Sequence, residues 1–319
     1  MKSFSDRLLG EILKKRNPSI IGLDPDMAKM PASLLEYFRD KEKDMFEAAG
    51  RCILEFNKRI IDSIHDIVPA VKLQSAFYEQ CGPAGFRAFL GTAEYARRKG
   101  LIVVGDVKRS DIGNSTMAYS NAYLGKVPLF GSLEPVYDLD AVTVNPYLGS
   151  DGIKPFVEDC RKYSKGIFVL VRTSNPSSSE LQDLGSGGVT VSEAVARLVN
   201  RLGEGMIGES GYSPVGAVVG ANRKRLASRL RKAMPRSIFL VPGFGAQGGS
   251  AKDAVNFFDE RGLGAVIHAA RSVIFAYEKS GKGEDYREAA RAAAESMRDD
   301  IVKAMKGSGK CPWQANSKL

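Results

Sequence analysis

A chain of 319 residues, 44% hydrophobic and 26% charged, has the composition of a soluble globular protein that can bury a core without staples. Four widely spaced cysteines with no C-x-x-C pair, and only two histidines, argue against a zinc site, a disulfide framework and paired-histidine chemistry, and suit a reducing, cytoplasmic setting. The net charge of +9 raises nucleic acid as a partner, but the basic residues are dispersed. The densest run, RKRLASRLRK at 223–232, reads as a solvated helix face without interleaved aromatics, so small anions are expected instead.

The N-terminus, MKSFSDRLLGEILKKR, predicts a short amphipathic helix and lacks the apolar core of a signal peptide. From there β-rich runs alternate with helical ones. The predicted strands are SIIGLD (19–24), AVKLQ (70–74), LIVVGDVK (101–108), AVTVN (141–145), GIFVLVR (166–172), PVGAVVG (214–220), SIFLVP (237–242) and AVIHAA (265–270). Helical spacing is plainest at 45–67, 191–205 and 286–305. Runs such as IFVLV at 167–171 are far too short to cross a bilayer, so no membrane association is expected.

Strands separated by helices imply a parallel sheet, and eight of them favour a closed (β/α)8 TIM barrel over an open doubly wound sheet. The Ser/Gly-rich stretch 174–190 falls between the fifth strand and its helix and reads as a mobile βα loop. One barrel domain over 1–305 is predicted, followed by a loose tail over 306–319. His65, in a helical segment, and His268, in a strand, read as packing residues.

Barrel enzymes build their sites where strands end. Here those ends carry Asp24, then Lys72 and Gln74, then Asp106 and Lys108 with Asp111 beyond, then Arg172, Thr173, Ser174 and Asn175, and finally Arg271. Residues 106 and 108 are two apart, as are 72 and 74, so each pair shares a strand face. If those faces meet in the barrel mouth, two lysines and two aspartates form a charge-compensated array. A lysine held between carboxylates can protonate a developing carbanion, while a carboxylate presses on an anionic leaving group. Arg109, on the opposite face, drops out. The seventh strand runs through Pro242 into GFGAQGG (243–249), a glycine-rich loop with Gln247 as a side-chain donor, and Arg271 stands at the next strand end. That pair suits a phosphate.

These residues resemble a known family. Asp106-Val-Lys108-Arg-Ser-Asp111-Ile-Gly113, with GLDPD, VKLQSAFYE, VRTSNP, VVGAN and VPGFGAQGG, is similar to orotidine 5′-phosphate decarboxylases, in the branch containing many bacterial and the malarial enzymes. The resemblance implies decarboxylation of orotidine 5′-monophosphate to UMP in pyrimidine biosynthesis, with no metal and no cofactor. It implies Lys108 as proton donor to C6, Asp106 and Asp111 flanking the carboxylate and the carbanion, and Lys72 holding the array and touching the ribose. Asp24 would bind a ribose hydroxyl, Ser174 the pyrimidine edge, and Gln247 and Arg271 the phosphate, with Gln74, Thr173 and Pro242 completing the substrate contacts. In the family the second aspartate and a hydroxyl residue four positions later serve the neighbouring subunit, which implies a homodimer.

Two positions depart from the pattern. The usual threonine is Ser115, with Thr116 beside it, and either hydroxyl is a candidate for the cross-subunit contact. A glycine frequent before the phosphate arginine is Ala270. Two rivals remain at this level. One is a Mg2+-dependent phosphosugar decarboxylase of the same barrel suprafamily, against which Lys72 stands where an acidic residue is usual. The other is a non-catalytic binder of phosphorylated ligands or nucleic acid.

Overall fold

Ser3 accepts a hydrogen bond from the Asp6 backbone N–H and opens α1 (Phe4–Lys15), which carries Asp6 in its first turn and Lys14 and Lys15 in its last. Cap and charges both favour that helix. Phe4, Leu8, Leu9 and Ile12, three and four apart, form one buried face. The computed structural model describes residues 2–221, 224–244, 250–280 and 285–314.

Eight parallel strands close the barrel: β1 (Ser19–Leu23), β2 (Ala70–Gln74), β3 (Ile102–Arg109), β4 (Ala141–Val144), β5 (Gly166–Arg172), β6 (Ser213–Val219), β7 (Ser237–Pro242) and β8 (Ala265–Ala269). The order round the barrel is β1-β8-β7-β6-β5-β4-β3-β2. The predicted fold class and all eight strands are found. Strand parity then sorts the side chains. Ile20, Ala70, Ile102, Val104, Ala141, Phe168, Ile238 and Val266 point inward and share one cluster with the buried face of α1. These are the beginnings of strands, so α1 plugs that end of the barrel. Phe4 meets Phe168 edge-on at 5.8 Å. Each fully buried apolar side chain in the plug stabilises by about 2 kcal/mol.

Outside, α2 (Ala32–Lys41), α3 (Met45–Ile64), α4 (Gly82–Arg98), α5 (Gly113–Tyr123), α6 (Lys154–Tyr163), α7 (Val191–Gly203), α8 (Lys224–Ala233) and α9 (Tyr286–Gly307) surround the sheet. The second cluster lies between them and the outward strand residues, with Phe56 of α3 stacked against both Phe275 and Tyr286. Among the described residues, no helix is long and apolar enough to cross a membrane.

Two stretches differ from expectation. Segment 174–190 folds locally, with helical turns at Pro176–Ser178 and Ser179–Gln182 and a hairpin pairing Gly185–Ser186 with Val189–Thr190. The expected loose tail from 306 is anchored as far as it is described. α9 runs to Gly307, Cys311 is 7% exposed, and the Lys310 ammonium donates to the Phe258 carbonyl at 3.2 Å. Gly262 permits this docking: its φ is +73°, and a Cβ there would lie 2.1 Å from the Lys310 carbonyl oxygen. Residues 315–319 lie outside the described residues.

Candidate active site

The parity that fills the lower barrel with Ile20, Ile102 and Val104 carries polar side chains into its upper part. Two residues on from Ala70 comes Lys72, two on from Val104 comes Asp106, and two on from Ala141 comes Thr143. They line a cavity of about 450 Å3 at the end where the strands finish. Register sets the neighbours: Lys72 pairs with Gly22 of β1, and Gln74 with Asp106 of β3.

Asp106 is the hub. Its Oδ2 accepts from Lys72 Nζ at 2.8 Å and Gln74 Nε2 at 3.1 Å. Its Oδ1 accepts from Lys108 Nζ at 2.6 Å and Thr143 Oγ1 at 2.9 Å. Burial by itself would raise this carboxyl, but the Lys72 and Lys108 charges and their hydrogen bonds hold it well below the usual carboxylate range. Asp24 lies 3.7 Å from Lys72 Nζ through Oδ1. It is pushed the other way, by burial first and by the Asp106 charge, against the opposing pull of Lys72. Burial would lower the Lys72 ammonium, yet Asp106 and Asp24 keep it above its ordinary value. Two cations and two anions thus share the site, and each charge lies beside one of opposite sign.

The two lysines are not equivalent. The Lys72 side chain is 3% exposed and locked, whereas that of Lys108 is 44% exposed at the cavity. Lys108 reaches Asp106 by a route plain alternation does not describe. The β3–β4 register shifts between Gly105 and Arg109, and Lys108 has φ +47°. A lysine in that left-handed region costs about 1–3 kcal/mol, which the surroundings must offset. Part of the offset is visible: the Lys108 backbone N–H donates to Thr143 Oγ1 at 2.9 Å. Arg109 leaves the site and pairs with Glu79 at 2.6 Å.

Of the residues expected at the site, Asp24, Lys72, Gln74, Asp106, Lys108, Thr173, Ser174, Pro242 and Arg271 line this cavity. Gly220 lets the Ser174 segment come close, since a Cβ there would stand 2.9 Å from the Ser174 Cα. Asp111, Ser115 and Thr116 do not line it. Asp111 is half-buried and accepts the Ile112 N–H, Ser115 is exposed, and Thr116 is fully buried. Gln247 lies outside the described residues.

Two polar cavity residues, Thr143 and His268, escaped the sequence reading of the site. Thr143 is the one polar side chain of β4, at inward parity, and that was its available signal. His268, read as packing, lines the cavity floor. A Cβ on Gly22 would come within 2.5 Å of its Nε2, so the missing side chain on β1 makes room for the imidazole. Burial, then the Lys72 charge, hold this histidine well below its ordinary pKa.

Comparison with known proteins identifies a family. The model of the orotidine 5′-phosphate decarboxylase / HUMPS family matches residues 20–286. The orotidine 5′-phosphate decarboxylase of Caldicellulosiruptor saccharolyticus is 43% identical over 305 residues, covering 96% of this chain and 100% of that protein. The Rhodopirellula baltica enzyme of the same name is 43% identical over 309 residues, covering 94% and 99%. The Leishmania donovani OMP decarboxylase structure superposes with a TM-score of 0.69 at 28% identity, covering 95% of this chain and 98% of that one. On a match running from the first barrel strand to the start of the last helix, and on relatives aligned along nearly their whole length, the chain belongs to the orotidine 5′-phosphate decarboxylase / HUMPS family.

Proposed function

We infer that the chain decarboxylates orotidine 5′-monophosphate to UMP, a step of pyrimidine biosynthesis, and that it does so with side chains alone. The observation that carries this reading is one carboxylate, Asp106, gripped by two lysines of which only Lys108 faces the cavity with an accessible ammonium.

The substrate carboxylate enters beside the negative charge of Asp106. The C6–carboxylate bond breaks, CO2 leaves, and the electron pair stays on C6. The Lys108 ammonium stabilises that pair and then gives C6 a proton, yielding UMP. Lys72, too buried to reach C6, fixes Asp106 and Asp24 in place. Asp24 takes a ribose hydroxyl, Ser174 the pyrimidine edge, and Arg271 with Gln247 the phosphate, while Gln74, Thr173 and Pro242 shape the walls. Phosphate and ribose lie far from the breaking bond, and their binding offsets the cost of assembling a charged, desolvated site.

The Mg2+-dependent phosphosugar reaction is not favoured. The Lys72 ammonium occupies the space between Asp24 and Asp106, where a metal would have to displace a cation already neutralised by both carboxylates. Curated relatives with 43% identity are orotidine 5′-phosphate decarboxylases.

We further propose a homodimer in which Asp111 and Ser115 complete the partner's site. Supporting this, Ile112, Met117 and Tyr119 expose apolar surface beside them. Exposure separates the two hydroxyl candidates, because Ser115 faces outward and Thr116 is enclosed. The setting is cytoplasmic, in keeping with four buried free thiols, of which Cys52 is pushed up to about 12 by burial.

The test is the loss of orotidylate absorbance, with wild type, with Lys108→Ala and with added EDTA. Turnover by the wild type that survives EDTA and disappears in the variant is expected. No turnover by the wild type would sink the assignment, and unchanged turnover in Lys108→Ala would remove its role.

A further inference from the structure

The floor of the cavity holds two polar atoms that the decarboxylation chemistry leaves unused. Asp24 Oδ1 and His268 Nε2 are each shut off from solvent, and neither has a hydrogen-bond partner among the described residues. Orphaned atoms of this kind are rare in a folded interior, because each has lost its solvation without return. These two border the same gap. The Cβ that Gly22 lacks would lie 2.5 Å from Nε2 and 3.0 Å from Oδ1.

Strand parity builds this arrangement. Gly22 pairs with Lys72 of β2 on one side, and on the other β1 runs beside β8 with Ile20 paired to His268. Gly22 therefore lies between two long polar side chains, and its bare backbone lets both lean towards Asp24, two residues on. Lys72 Nζ stands 3.7 Å from Asp24 Oδ1 and only 2.8 Å from Asp106 Oδ2, so its charge favours an ionised Asp24 while its closest bond goes elsewhere. An ionised carboxylate only accepts. Burial and the charges of Lys72 and Lys108, against the opposing pull of Asp106, favour an uncharged imidazole, and that form carries a single N–H. With the proton on Nδ1, the Nε2 lone pair would face a carboxylate oxygen. With the proton on Nε2, the same contact joins a donor to an acceptor.

Asp24 lines the cavity, and because Oδ1 is shut off, Oδ2 is the oxygen it turns to a ligand. We propose that His268 carries its proton on Nε2 and donates it to Asp24 Oδ1 when a nucleotide is bound, which holds Oδ2 towards the ribose hydroxyl. The movement required is a turn of the carboxylate about its last torsion, which is broad for aspartate, and Gly22 has no Cβ to obstruct it. His268 is thus a positioning residue that acts through Asp24. Its role rests on the nucleotide reading of the cavity and deepens it.

The sequence has only two histidines, which makes the test direct. Imidazole 15N spectra of the labelled protein, assigned with His65→Gln, read which nitrogen of His268 is protonated. Nε2 is expected to carry the proton, and its resonance is expected to move on addition of UMP but not of inorganic phosphate. In calorimetry, His268→Leu is expected to weaken UMP about tenfold and to leave inorganic phosphate binding as before. His268→Gln, whose amide N–H can reach the same place, recovers most of that loss. In turnover of orotidylate, the leucine variant raises KM by a similar factor with kcat near wild type. A bare Nε2 in the wild type overturns the proposal, and that result needs no variant to fold. UMP and phosphate weakened alike, UMP bound by the leucine variant as tightly as by wild type, or no recovery with glutamine overturns it too. A wild type that turns over orotidylate with a bare Nε2 defeats this inference alone. Absence of orotidylate turnover instead defeats the reading beneath it.

Discussion

The Thr143 hydroxyl donates to Asp106 Oδ1 at 2.9 Å, and its Oγ1 accepts the Lys108 backbone N–H at 2.9 Å. One side chain on β4 therefore orients the hub carboxylate and supports the left-handed backbone of the lysine beside it. Thr143→Val keeps the shape and deletes both bonds. It is expected to lower stability by about 1–2 kcal/mol. A fall in kcat of about tenfold or more should accompany this, because Lys108 is displaced from C6. Urea unfolding with steady-state kinetics checks both, and a variant with unchanged kcat would remove Thr143 from the site's support.

Lys72 and its two carboxylates give a second prediction. Lys72→Met leaves Asp24 and Asp106 buried with only Lys108 to balance them. The expected loss at neutral pH is about 3–5 kcal/mol. The Asp24 carboxyl already lies above its ordinary value, and without Lys72 it rises further. The folded variant then binds protons that the unfolded chain does not, so it gains stability relative to wild type as pH falls toward the ordinary carboxylate value. Denaturant midpoints at pH 7 and pH 5 measure the gap. A gap that widens at pH 5 contradicts the charge array as described.

How much of this was legible in the sequence follows from which interactions are local. Lys72 and Asp106 could be placed because strand parity is a local property, and Lys108 stood out only as a charge at a strand end otherwise built of Val and Ile. Thr143 was hidden because threonine is an ordinary strand former, and His268 because a lone histidine in an apolar strand is usually packing. The bulge at Lys108 depends on register with β4, a partner 35 residues away along its Thr143 hydrogen bond. No local propensity encodes that. The anchored C-terminal stretch was equally unreadable, since Cys311 and Lys310 dock against a turn opened by Gly262.

The outward Ser115 and enclosed Thr116 separate two outcomes. Ser115→Ala is expected to lower activity with little change in stability. Thr116→Val, which preserves shape at a fully buried position, is expected to leave activity near wild type. The shared-site arrangement is tested by mixing inactive Lys72→Ala and Asp111→Ala chains. Random exchange makes half the dimers mixed, and each mixed dimer holds one intact site, so about one quarter of wild-type activity returns. Mixtures that stay inactive after verified exchange rule out the arrangement.

His268 makes the last prediction. Burial, and then the Lys72 charge, place its folded pKa well below the ordinary histidine value of about 6.5. Below that pH the unfolded chain binds a proton at this residue and the folded chain does not. Stability must therefore fall as pH drops below about 6.5, and the loss continues until the folded pKa is reached. His65 is shifted in the same direction, so the wild-type curve alone does not isolate either histidine. The difference between wild type and His268→Asn does, because asparagine keeps a polar group in the space over Gly22 and cannot titrate. The variant's melting temperature should decline less between pH 7 and pH 5 than that of the wild type. Parallel declines would show that the imidazole takes up its proton in the folded protein, and the cavity floor would then carry a positive charge beside Lys72.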